Sequence, residues 1–140
     1  NFCCIDLYSS TDAMKECRIV VGCRVRPLNK HELSLGNTNS WACCGDSNTI
    51  TQEKGIQARK EAAQHKYDYV FHENHDNNHV YENLGRPIIS AVLDGFHGTV
   101  FAYGQTSSGK THTLLGVPEE MGIIVHSVHD IFDYIHRAPQ

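Results

Sequence analysis

The chain has 140 residues, of which 40% are hydrophobic and 20% charged, and carries a formal net charge of −4. That length suits one domain with a real core, and a pI ≈ 6.2 argues against a surface built for nucleic acid or another polyanion. The longest apolar runs, such as Thr99 to Tyr103, stop far short of the ~20 residues needed to cross a membrane.

Residues 1–17 show no clean period and read as a poorly specified lead-in; a chain that opens on Asn1 rather than Met reads as a fragment. From Arg18 to Arg26 the pattern sharpens. Ile19, Val21, Cys23 and Val25 alternate with Val20, Gly22, Arg24 and Arg26, the period-2 signature of a strand with one apolar face. Pro27 ends it, having no N–H for a ladder. Trp41 to Cys44 and Thr49 to Gln52 flank Gly45-Asp46-Ser47-Asn48, which predicts a hairpin. Ala58 to Gln64 is Ala-rich and charged and predicts a short exposed helix. Tyr67, Tyr69 and Phe71 alternate as a second strand, followed by a polar loop over His72 to His79.

Val80, Tyr81, Leu84, Ile88, Val92 and Leu93 form a helical stripe in which Pro87 should kink the helix or start a new segment. Thr99 to Tyr103 is short, β-rich and almost wholly apolar, as expected of a strand buried on both faces. A glycine-rich loop follows, then a helix from about Lys110. Leu114 to Pro118 interrupts that helix, and Val125, Val128, Ile131, Phe132 and Ile135 resume the stripe. Strand, glycine loop and helix in this order indicate an α/β nucleotide-binding architecture.

The six cysteines (Cys3, Cys4, Cys17, Cys23, Cys43 and Cys44) contain no C-x-x-C, so the usual zinc spacing is absent. They are read as reduced thiols, small buried hydrophobes in the main. His72, His75 and His79, with Asp76 among them, could gather on one side of a helix as a metal site. The polar surroundings favour a solvated loop instead. His126, His129 and His136 are read as the wet edge of the last helix, and Asp94 as a helix-end residue.

The strongest signal is Gly104-Gln105-Thr106-Ser107-Ser108-Gly109-Lys110-Thr111, which fits G-x-x-x-x-G-K-S/T without a mismatch. Average residue usage gives this pattern by chance in about half a percent of chains this long. The glycines let backbone N–H groups close around phosphate oxygens at a helix N-terminus. Lys110 would reach the β- and γ-phosphates, and the Thr111 hydroxyl would ligate Mg²⁺. A glycine-rich turn with a surface lysine is the weaker reading.

The flanks narrow the choice. Phe101-Ala102-Tyr103 leading into the loop, with Gly95-Phe96-His97-Gly98-Thr99 upstream, closely resembles the phosphate loop of kinesin motor domains. Cys23 to Asn29 resembles that family's first-strand R-x-R-P motif, and Tyr67 to Phe71 its aromatic-Asp-x-Val-Phe segment. Val80-Tyr81-Glu82 and Gly122-Ile123-Ile124 follow in family order. The likeness runs from about Arg18 to Arg137, nearest the centromere-associated subclass. It implies a three-layer P-loop fold over residues 18–140, cut after the helix that follows the phosphate loop. It also implies ATP and Mg²⁺ as cofactors, microtubules as partner, and a place in the cytoplasm on the cytoskeleton. Arg24 and Pro27 match positions flanking the adenine, with His112 also near the base.

Two departures stand out. Val125-His126 replaces the family's usual Pro-Arg, and the stretch between Asn29 and Tyr67 is longer than usual, with Ala58 to Gln64 as the extra. The family's two switch motifs and its basic microtubule-binding face have no counterpart in this sequence. A parent microtubule-stimulated ATPase is therefore implied, with the chain itself supplying the ATP-binding portion. The rival reading is a truncated, non-motor nucleotide binder acting as a regulator or decoy. A small phosphotransferase ranks last, since only Arg137 follows Thr111 to serve as an arginine lid.

Overall fold

The computed structural model describes residues 2–10, 18–52 and 63–138. Four strands form the main sheet in the order β6-β2-β1-β7, where β1 is Phe2–Ser10, β2 Arg18–Val25, β6 Tyr69–Phe71 and β7 His97–Tyr103. β1 runs antiparallel to both β2 and β7, and β6 runs parallel to β2, so β2, β6 and β7 share one direction. The mixed α/β class inferred from sequence is the observed one.

β1 is the unexpected element. Its sequence shows no apolar alternation, yet its backbone is paired along both edges. Cys4 lies opposite Cys23 on one side and Tyr103 on the other. That shared partner brings the carboxyl ends of β2 and β7 to the same level. Crevices outside strand carboxyl ends are where open α/β sheets bind ligands.

β3 (Trp41–Cys44) and β4 (Thr49–Gln52) make the anticipated hairpin, and β5 (Gln64–Lys66) adds a third strand to it. Residues 53–62, where most of the predicted helix from Ala58 falls, lie outside the described residues, and Gln64 begins β5. Cys23, Val25, Ile50 and Val70 form a small core between this hairpin and the main sheet. Cys43 and Cys44 are free thiols.

The larger core lies on the opposite face of the main sheet. After the short α1 (Lys30–Ser34), the chain reaches α2 (Asn77–Val80), a π-helical stretch over Tyr81–Gly85, and α3 (Arg86–Leu93). Pro87 sits in the first turn of α3, where its missing N–H costs nothing, so it starts a segment as expected. Val80, Tyr81, Leu84 and Ile88 are buried together with Phe71 and Ile123. The Tyr81 hydroxyl donates to Asp130 at 2.7 Å, and burial and that carboxylate raise its pKa. Asp130 also pairs with Arg86. Asp94 caps the C-terminal end of α3.

Two expectations about burial are corrected. β7 is not covered on both sides: Val100 and Ala102 face the core, while Phe101 is 48% and Tyr103 73% exposed. Among the described residues, helices cover one face of this strand. As the interruption at Leu114 to Pro118 predicts, two helices follow the glycine loop, α4 (Lys110–Leu114) and α5 (Ile123–Arg137), separated by the hairpin of β8 (Gly116–Val117) and β9 (Glu120–Met121). The α5 stripe is genuine, but Val128, Phe132 and Ile135 are exposed, and the helix meets the core through Ile123 instead. His126 is not simply a wet edge, for its ring stacks on Tyr81 at 4.8 Å.

The histidine-rich turn after β6 is built by its rings. His72 and His75 lie tilted against each other at 3.6 Å between centroids, and His75 and His79 stack at 4.3 Å. The His72 N–H donates to His75 Nδ1, and the Asn74 N–H to His72 Nδ1, both at 3.3 Å. Nitrogens that accept backbone N–H bonds are not offered to a cation. Among the described residues no group of three His, Cys, Asp or Glu side chains converges on a metal position.

Burial, then the imidazoles of His72 and His79 and the Arg24 charge, lower the His75 pKa against an opposing pull from Asp76. The unfolded chain therefore takes up protons more readily, so this part of the stability is full above about pH 6.5 and is lost as pH falls below it. Amide protection factors at His72 and Asn74 should drop between about pH 7.5 and 5.5 while those of α3 hold; equal behaviour of turn and helix would contradict this. In the core, Leu84→Ala should cost about 3 kcal/mol in urea denaturation, and a loss under about 1 kcal/mol would show that Leu84 is not packed as described.

Candidate functional site

β7 ends at Tyr103, and Gly104 to Gly109 carries the chain from the sheet into α4, which opens on Lys110. Three residues of this loop have positive φ, Gly104, Ser107 and Gly109. Gly109 has φ +100°, which a glycine adopts freely. Ser107 has φ +64°, which costs a side-chain-bearing residue on the order of 1–3 kcal/mol unless its surroundings hold it. They do, because Arg26 Nε donates to the Ser107 carbonyl at 2.9 Å.

Arg26 is the residue that sequence reasoning passed over. It lies just past β2, and the aligned ends of β2 and β7 bring it beside the loop. Its other N–H groups donate to Glu32 at 2.8 and 2.6 Å. Glu32 also accepts from the Asn29 N–H while Asn29 caps Glu32, a reciprocal box at the start of α1. The Arg26 hydrogen bonds, then that backbone bond, hold the Glu32 carboxyl down at about 2. The period-2 alternation that singled out Arg24 had already placed Arg26 on the same face.

The loop's own polar groups are in a waiting arrangement. Lys110 Nζ donates to the carbonyls of Gly104 at 2.8 Å and Gln105 at 2.7 Å. Ser108 is buried, and its hydroxyl has no hydrogen-bond partner. A buried hydroxyl left without a partner costs free energy, and a phosphate oxygen arriving at the loop would supply one. Gln105, Thr106 and Thr111 are exposed, Thr111 in the first turn of α4, where amides lack intrahelical carbonyls. The donors thus suit a phosphate chain, and the Thr111 hydroxyl has the oxygen chemistry that Mg²⁺ takes.

A cavity of ≈ 340 Å³ adjoins the loop. Its walls include Arg24, Arg26 and Pro27 from the end of β2, Ser107 to Gly109 from the loop, and His112 and Thr113 from α4. The three residues picked out beyond the loop, Arg24, Pro27 and His112, are therefore brought together with it. Arg24 is no solvated strand charge. Its guanidinium donates to Asn77 Oδ1, to Thr113 Oγ1 at 2.9 Å and to the His75 carbonyl at 3.0 Å, with Glu120 at 4.0 Å. His112 is paired through Nε2 with Glu120 at 3.5 Å. Neither Asn77 nor Glu120 carried a sequence signal, one lying in a polar run and the other in a turn.

The chain is similar in sequence and fold to known proteins. The chain is 42% identical over 125 residues to human centromere-associated protein E, and 40% identical over 130 residues to the human kinesin-1 heavy chain. These matches take in 89% and 91% of the chain but only 4% and 13% of the two relatives. Among solved structures, KIF14 with ADP in complex with a microtubule superposes with a TM-score of 0.70 at 30% identity, over 84% of this chain and 33% of that one. The model of the kinesin motor domain matches residues 24–140. The chain belongs to the kinesin motor domain family and carries part of that fold.

Proposed function

We propose that this chain is the ATP-binding portion of a microtubule motor. The observation that carries the reading is the meeting, in one cavity, of Ser107 to Gly109 from the glycine loop with Arg24, Pro27 and His112. The loop amides, Lys110 and the Ser108 hydroxyl would hold the phosphates, and Thr111 would take Mg²⁺. Pro27, Arg24 and His112, which line the same cavity, would flank the base. Bound Mg²⁺ would neutralise charge on the β- and γ-phosphates. Support for the wider setting comes from the family and from the ADP and microtubule in the KIF14 complex. On this reading the whole motor domain couples ATP hydrolysis to movement along microtubules, on the cytoskeleton and in the cytoplasm.

Lys110 would exchange its two carbonyl partners for phosphate oxygens when nucleotide enters. Lys110→Ala should therefore weaken Mg-ADP binding by about 1.5–3 kcal/mol, roughly tenfold or more, by calorimetry. Equal affinity of the two proteins would remove the loop from the binding site.

A further inference from the structure

We propose that Asn77 is a positioning residue for the base-facing wall of the nucleotide pocket, acting through Arg24 and His112 and resting on the nucleotide reading above. Asn77 does not line the cavity and is fully buried behind it. Its side-chain oxygen accepts from Arg24 Nη1, and its Nδ2 donates to the His112 carbonyl at 2.9 Å. Its backbone N–H donates to Glu120 Oε1 at 2.6 Å, while Glu120 Oε2 faces His112 Nε2.

One amide thus ties the end of β2 to α4, and one carboxylate ties both to the hairpin that follows α4. The amide has a donor end and an acceptor end, and each is spent on a different wall residue. Neither an aliphatic side chain nor a carboxylate of the same size could serve both. Gly116 supports the arrangement from the start of β8, where its φ is +81°. A Cβ there would collide with the Glu120 carbonyl, so only glycine lets β9 bring Glu120 this close.

Loss of Asn77 would leave Arg24 on Thr113, the His75 carbonyl and Glu120 but without its tie to α2, and would release the backbone at His112. The phosphate loop has its own support from Arg26, which Asn77 does not touch. The two ends of the pocket should therefore respond differently. Nucleotide that uses the base wall should suffer, whereas inorganic pyrophosphate, which has no base, should not.

The experiment measures the affinities of Mg-ADP and Mg-pyrophosphate for the 140-residue chain, its Asn77→Ala variant and its Asn77→Asp variant. Asn77→Ala should raise the Kd for ADP about tenfold and change that for pyrophosphate less than about twofold. Asn77→Asp keeps an acceptor for Arg24 but loses the donor to His112, so its ADP affinity should fall only about threefold, again without loss of pyrophosphate. If Asn77→Ala does not fold, the aspartate variant decides alone. Equal losses for both ligands would make Asn77 a scaffold residue and overturn the proposal, as would no loss for ADP. A wild-type chain that binds pyrophosphate but not ADP would overturn the base wall and leave the loop standing. One that binds neither would overturn the nucleotide reading itself.

Discussion

A guanidinium can leave water only where its N–H groups find acceptors, and Arg24 imposes that condition at the floor of the pocket. Its side chain is only 11% exposed. The acceptors come from segments far apart in sequence: Asn77 at the head of α2, the His75 carbonyl in the turn before it, and Thr113 on α4. Satisfying one charge therefore fixes the position of three elements around the end of β2. The pocket is a consequence of that arrangement, since its walls are the same elements.

The second constraint is the level at which strands end. β2 and β7 are not neighbours, because β1 lies between them and pairs with both. With neighbouring strands about 4.8 Å apart, the two ends stand roughly 10 Å from each other, a gap that an arginine side chain can cross. Arg26 crosses it and holds the strained Ser107 carbonyl. Glu32 and the Asn29 cap fix the far side of the same guanidinium. The loop is thus braced from outside while its own donors are held on loop carbonyls or, at Ser108, without a partner. Such a loop gives up little on meeting an anion: Lys110 trades one set of acceptors for another, and Ser108 gains one.

Much of this was legible in the chain itself. The phosphate loop was read from eight consecutive residues because its chemistry depends on local backbone freedom and one cation, both visible at fixed spacing. Pro87 and the Gly45 to Asn48 turn were read for the same reason, being local backbone events. Burial was harder. The α5 period was correct, yet which face is covered depends on what lies beside the helix, and Tyr81 and the π-helical stretch meet it near Ile123 and His126. β1 was missed because a strand paired on both edges is set by its backbone register, which side-chain alternation does not report. Asn77 and Glu120 were missed because the bond between them spans 43 residues and the one from Asn77 to the His112 carbonyl 35, and no spacing rule reaches that far.

The loop and the end of β2 form one assembled site and should respond together to nucleotide. Hydrogen–deuterium exchange of the 140-residue chain, with and without saturating Mg-ADP, tests this most directly. The expected result is added protection over residues 104–113 together with residues 24–29, and little change in α5 beyond Ser127. Protection confined to the loop, or none in either segment, would contradict it.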